Sequence, residues 1–241
     1  MSVIDHYENH LAGYYTWIYG GLENKIKDNA AFFSENNIRP HLTGTAIDLG
    51  AGSGFQSIPL ADAGFKVFSV DFSGKLLDEL KNRKNSSDIS IIRSDIMNFS
   101  SYENLNPELI VCMGDTLTHI GSLTDVESML NNCCKLLVKG GSLILTFRDL
   151  THELSGINRF IPVMNDEKRI FTCFLEYFKD HVIVHDIVNE RAGGRWQQKI
   201  SSYRKIKIPP ETIKKYLNEL NFNLIVFKVD KGIVTVIAVK Q

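Results

Sequence analysis

Cysteine is scarce in this 241-residue chain: there are four, two of them adjacent at Cys133-Cys134, and none in a Cys-x-x-Cys or zinc-like spacing. A disulfide scaffold and a thiolate metal centre are therefore not expected. No apolar run approaches the ~18–20 residues of a membrane-spanning helix, and the N-terminal segment has no basic stretch followed by an apolar one. The expected setting is reduced and cytoplasmic, away from any membrane. A dominant sign of charge is missing as well. A formal net charge of −1 argues against a wholesale electrostatic grip on nucleic acid. The balance is uneven, since residues 1–120 carry 9 basic and 15 acidic side chains and residues 121–241 carry 18 and 13. No Pro/Gly/Ser-rich linker, internal repeat or low-complexity tract divides the chain. Its length suits one large domain, with room for an insertion. Monomer and homodimer both stay open.

Short apolar runs then organise the sequence. Residues 5–38 are rich in aromatics and predict one or two helices ending before Pro40, an N-terminal cap over 1–40. From 41 to 150, runs at Thr45–Leu49, Lys66–Val70, Ile89–Arg93, Leu109–Met113 and Ser142–Phe147 are separated by helical segments or loops. That rhythm reads as βαβ units around a parallel sheet. Each run ends on a glycine or polar residue, and ligands of open α/β sheets bind along that carboxyl edge. After Arg148 the rhythm changes. Residues 169–178, 181–188 and 199–208 look like three strands with no helix between them, an inserted antiparallel sheet over 169–208. Residues 209–241 then supply a helix opening at Pro209-Pro210 and two closing strands. The predicted fold class is α/β: a Rossmann-like, doubly wound, seven-stranded sheet with a helical cap and an inserted sheet.

The sharpest motif is Asp48-Leu49-Gly50-Ala51-Gly52-Ser53-Gly54, at the end of the first strand. Glycines allow a tight turn and close approach of a ligand to the backbone, and the following helix offers free amides. Asp71 stands at the tip of the next strand, 17 residues past Gly54, where a carboxylate suits ribose hydroxyls. A dinucleotide fold would place a third glycine where this chain has Phe55. That disfavours a nicotinamide oxidoreductase.

On these residues the stretch Ile47–Lys84 resembles the cofactor-binding half of the class I S-adenosylmethionine (SAM)-dependent methyltransferases. More narrowly, the glycine turn, the Gly64–Ser73 segment and Cys112–His119 are similar to the glycine N-methyltransferases. The resemblance implies SAM as cofactor. It also implies that Gly50, Ala51, Gly52 and Gly54 pass under its amino-acid end, with Asp48 helping to hold the ammonium group. Asp71 would accept from both ribose hydroxyls, and Asp95 from the adenine amino group while Ile96 packs on the ring. Met113 and Gly114 would line the floor near the sulfonium, and Tyr15 would lie over the methionine part. Phe72 is either the other adenine wall or a core residue. Arg148 matches an arginine that grips the substrate carboxylate, or else it pairs with a nearby acid. Where the family has an asparagine near position 115, this chain has Asp115.

Methyl transfer from a sulfonium is an in-line displacement with a neutral leaving group, so a base is needed only for a protonated nucleophile. No catalytic triad is expected, and none is visible. The catalytic candidates are Arg148, Asp115 and His119. His119 is either a base near neutral pH or a packing histidine. Tyr7, Tyr14, Tyr15 and Trp17 either form a lid or pack the cap, and Tyr203 is a candidate to face the substrate. His181 and His185 lie on one face of a strand without a third ligand, so no metal is expected. The expected partner is a small molecule, anionic or amino-acid-like. Two alternatives stay open: an RNA-directed methyltransferase using the basic run 191–215 with Trp196 and Tyr203 interleaved, and a SAM-binding protein without catalysis.

Overall fold

A computed structural model describes residues 3–83 and 88–241. Lys84, the last residue of the resembling stretch, lies outside the described residues. Strands β1 (Thr45–Leu49), β2 (Lys66–Asp71), β3 (Ile89–Arg93), β4 (Leu109–Cys112) and β5 (Ser142–Arg148) are mutually parallel. The two closing strands, β10 (Phe222–Asp230) and β11 (Ile233–Lys240), join antiparallel to give the order β10-β11-β5-β4-β1-β2-β3. The order reverses at β1, between β4 and β2. That reversal opens the crevice above their carboxyl ends where ligands bind in such sheets.

Helices cover both faces, which is why the strands read as continuous apolar runs. On one face, α6 (Leu123–Leu136) and α7 (Pro210–Glu219) bury Val126, Met129, Leu130, Ile213 and Leu217 against Ile110, Leu145 and Phe147. On the other, α3 (Leu22–Glu35), α4 (Ser57–Asp62) and α5 (Gly74–Arg83) pack Phe33, Leu60, Leu77 and Leu80 onto Ala46, Val67 and Val111. Ser122 starts α6 with a reciprocal cap: its Oγ accepts from Asp125 N (3.1 Å) and donates to Asp125 Oδ2 (2.7 Å).

The inserted sheet has four strands in sequential order: β6 (Phe160–Asn165), β7 (Arg169–Tyr177), β8 (His181–Ala192) and β9 (Arg195–Ile206). It therefore begins before residue 169. The run containing β6 is broken by Pro162, which cannot donate to a ladder and is tolerated here because β6 is an edge strand. The register slips between Pro162 and Met164, leaving Val163 as a bulge. The N-terminal cap consists of α1 (Val3–His6), one π-helical turn at Tyr7–Leu11, α2 (Ala12–Ile18) and α3. A wide turn of this kind marks functional segments more often than plain helix does.

Gly54 gives a first test of how tightly the β1–α4 turn is built. Its φ is +87° and an added Cβ would collide with Leu80 Cδ1. Gly54→Ala should lower stability by about 2–5 kcal/mol from backbone strain plus overpacking. In urea this should appear as a lower midpoint at unchanged slope.

Candidate active site

A cavity of about 290 Å³ occupies the carboxyl edge above β1, β2 and β3. Gly50 and Gly52 form one end, both at positive φ (+78° and +50°). A Cβ on Gly50 would overlap Thr116, and one on Gly52 would stand 3.5 Å from the Tyr15 ring. Only glycine lets the backbone run this close to the opposite wall. Asp71, at the end of β2, is nearly buried. Its Oδ2 accepts from Gly52 N and its Oδ1 from Ser73 N, both at 2.8 Å, so the carboxylate is held rigidly toward the cavity. Burial nevertheless raises its pKa to about 6, against the pull of those donors. Asp95 and Ile96, just past β3, line the far end. Asp95 Oδ1 accepts from Met97 N (2.8 Å), and the Ile96 carbonyl accepts from the Tyr102 hydroxyl. Phe72 is also on the wall, edge-on to Tyr7 at 5.6 Å.

Other expected residues do not line this cavity. Asp48 is 1% exposed beneath the turn, where its Oδ2 accepts from Ser57 Oγ (2.6 Å) and its Oδ1 has no hydrogen-bond partner. Burial lifts its pKa to about 7. Ala51 is buried within the turn, and Gly54 faces Leu80. Met113 packs into the core, while Gly114 N donates to Thr146 Oγ1 at 2.7 Å. The cavity wall after β4 is instead made by Thr116 and His119, because the 3-10 turn Thr116–His119 folds back over the glycine turn. Phe55 also has a use the glycine pattern does not reveal: its ring stacks beneath Tyr15 (5.6 Å, 15° between planes), and its carbonyl accepts from Asn29 Nδ2 (2.8 Å).

A second cavity, of about 190 Å³, lies between the cap, the end of β5 and the inner face of the inserted sheet. Tyr7 and Tyr15 stand on the walls of both cavities. Arg148 and Asp115 line the second one, joined there by Lys205 and Tyr203 from β9. Lys205 Nζ donates to Asp115 Oδ2 at 2.6 Å, and Arg148 Nε is 3.9 Å away from the same oxygen. Burial alone would raise Asp115, but Lys205, followed by Arg148 and His119, pulls its pKa down to about 2. The carboxylate is thus ionised and a weak proton acceptor. His119 Nε2 meets the Tyr7 hydroxyl at 3.2 Å. Burial, reinforced by the charge of Lys205, drops the His119 pKa to about 3. Burial also pushes the hydroxyls of Tyr7, Tyr15 and Tyr203 upward, leaving them neutral donors.

Lys205 is the principal site residue that the sequence does not single out from the basic run 191–215. The alternation Ser201, Tyr203, Lys205 puts it on the same inner face as Tyr203. The rest of that run is dispersed rather than gathered into a phosphate track. Lys199 pairs with Glu190 (3.0 Å), Lys207 with Glu153 (2.6 Å), and Arg204 donates to Gly121 O (2.8 Å). Tyr203 is buried and stacks on His6 at 4.1 Å, so it is closed to a base. His185 and His181 meet Glu176 and Asp180 (3.1 and 2.7 Å), and among the described residues no group of three metal-ligating side chains occurs. Cys133 is buried in α6, with burial raising its thiol to about 12.

Residues 46–141 match the family model described as a methyltransferase domain. Over 150 residues the chain is 27% identical to the glycine/sarcosine N-methyltransferase of Aphanothece halophytica, covering 60% of this chain and 56% of the relative. The chain spans about half the length of the curated relatives it matches first. Among solved structures, a SAM-dependent methyltransferase from Clostridium acetobutylicum superposes with a TM-score of 0.73 at 21% identity, over 90% of this chain and 91% of the other. An amino pentose methyltransferase from Micromonospora echinaspora, solved with SAM, superposes equally well (0.73) at 11% identity, over 92% of each chain. Residues 46–141 thus match a methyltransferase domain on a fold shared with SAM-dependent methyltransferases of known structure, and SAM is the ligand whose fit to the first cavity is at issue. Among curated proteins its similarity runs toward the glycine N-methyltransferases.

The first cavity fits that cofactor on its own terms. It offers two glycines at positive φ, one of which (Gly50) has no room for a Cβ, a buried carboxylate at Asp71, and an apolar stretch (Phe72, Ile96) beside the carboxylate of Asp95. Among the described residues, no helix is long and apolar enough to cross a membrane.

Proposed function

We propose that this chain methylates the nitrogen of a small amino-acid-like molecule whose carboxylate is held by Arg148. The observation that supports this most is the pair of adjoining cavities, one fitted to SAM and the other presenting Arg148, with Tyr7 and Tyr15 on the walls of both. The nitrogen, rather than an oxygen, is favoured by the N-methyltransferases among its relatives.

When bound, SAM supplies a sulfonium methyl: the substrate lone pair forms the new N–C bond, the C–S pair stays on sulfur, and a surplus N–H proton must leave. The residues of the chain do the positioning. Arg148 has a planar fork suited to a carboxylate, and it is only loosely engaged by Asp115. Asp115, fixed by Lys205, keeps a negative charge beside the place an amine would occupy. The cap covers the first cavity with Val3, Ile4 and Tyr7, which would limit water around the reacting atoms.

Of the groups between the two cavities, neither Asp115 nor His119 is a good base at neutral pH, and the tyrosines stay protonated. Asp115 sits near 2, His119 near 3, and the tyrosines are pushed up. The amine must therefore react as its neutral form. kcat/KM should rise with pH toward the pKa of the substrate amine, with no inflection near 6.5, because His119 is neutral throughout. Comparing pH profiles of wild type and His119→Asn checks this. An inflection near 6.5 present only in wild type would make His119 the base. The carboxylate assignment is tested by offering amines with and without a carboxyl group in the presence of labelled SAM. Equal turnover of both would count against it.

A further inference from the structure

The second cavity is larger and far more apolar than glycine or sarcosine requires. Its walls come from alternate residues on the inner face of the inserted sheet, as period-two strands dictate. β6 supplies Ile161 and Val163, β7 supplies Phe171 and Leu175, and β8 supplies Val184. Val163, two residues past Ile161, stays on the same inner face although the register slips between Pro162 and Met164. With about 190 Å³ of space, the cavity exceeds the ~150 Å³ apolar hole known to take up a benzene ring.

The charges around it are mostly engaged. Asp186 Oδ1 accepts from the Cys173 thiol at 3.0 Å, while its Oδ2 lies 3.1 Å from His6 Nε2 without a hydrogen bond. Lys205 is held by Asp115. Arg148, its Nε 3.9 Å from Asp115 and its side chain 47% exposed, is the loosely held cation. One cationic anchor for an anion therefore faces a largely apolar chamber about the size of a ring.

We infer that the substrate is an amino acid with a branched aliphatic or aromatic side group, and that Val163, Leu175 and their neighbours select that group. This rests on taking the second cavity as the substrate chamber, but it departs from what the names of the relatives suggest. Glycine would leave the aliphatic walls unfilled. Leucine or phenylalanine would bury a side group against them, and such burial is worth about ten- to hundredfold in affinity.

The test is equilibrium binding of glycine, sarcosine, leucine, phenylalanine and phenethylamine to protein saturated with S-adenosylhomocysteine, the demethylated cofactor. Leucine and phenylalanine should bind at least tenfold more tightly than glycine or sarcosine. Val163→Phe should bring leucine down to the level of glycine. Leu175→Ala, which enlarges the chamber, should shift preference from leucine toward phenylalanine. Thermal stabilisation by S-adenosylhomocysteine shows that each variant is folded. Glycine or sarcosine binding as well as leucine overturns the inference while leaving the methyltransferase reading intact. Phenethylamine binding as well as phenylalanine upholds the apolar chamber but removes the carboxylate role of Arg148. Binding of none of the five to the loaded protein overturns both.

Discussion

Asp71→Asn should weaken SAM binding by about ten- to a hundredfold. Two backbone N–H groups, from Gly52 and Ser73, hold the wild-type carboxylate in place. Its remaining lone pairs face the cavity, where they can accept two charge-assisted hydrogen bonds worth ~1.5–3 kcal/mol each. An asparagine must turn its NH2 either toward one of those backbone donors or toward the ligand, so one acceptor is lost wherever it points. Calorimetry should show the loss, and a melting curve should separate it from damage to the glycine turn. The wild type carries its own control. With a pKa near 6, Asp71 protonates as the pH falls through that value, so SAM affinity should decline below about pH 6. The variant should lack that part of the slope. Unchanged affinity in Asp71→Asn would remove the ribose-binding assignment.

The second large effect is expected at Arg148. Arg148→Ala should raise KM for a carboxylate-bearing substrate by about ten- to hundredfold and leave SAM affinity nearly unchanged. The range is modest because the side chain is nearly half exposed, and solvent weakens such contacts. Arg148→Lys should recover only part of the loss, since an ammonium cannot reproduce the bidentate fork. Steady-state kinetics on all three proteins decides the matter. Equal KM values would take Arg148 out of the substrate site.

The sheet was legible because buried parallel strands must be continuously apolar and must end where polarity returns. Runs such as Ile89–Arg93 and Leu109–Cys112 could hardly be anything else. The turn at Gly50–Gly54 was legible for the same local reason. Contacts between distant segments were not. Lys205 and Asp115 are ninety residues apart in sequence, and no local pattern tells a lysine that its partner is a carboxylate on another element. Met113 and Gly114 were expected on the cavity floor, but the 3-10 turn after them carries the chain back, so Thr116 and His119 reach the wall instead. β6 was hidden by Pro162, whose effect depends on whether a strand lies at an edge. The aromatic N-terminus announced a packed cap. Which of its rings face a cavity depends on the π-helical turn at Tyr7–Leu11, and that has no sequence signature.

The central claim is that SAM in the first cavity serves a small amine in the second. Its most direct test is to incubate the protein with methyl-labelled SAM and a whole-cell extract, then separate small molecules from RNA and protein. The account predicts label in a low-molecular-weight compound carrying both a methylated amine and a carboxylate, with the signal abolished by Asp71→Asn and reduced by Arg148→Ala. Label confined to RNA or protein, or no transfer to any fraction despite measurable SAM binding, would contradict it.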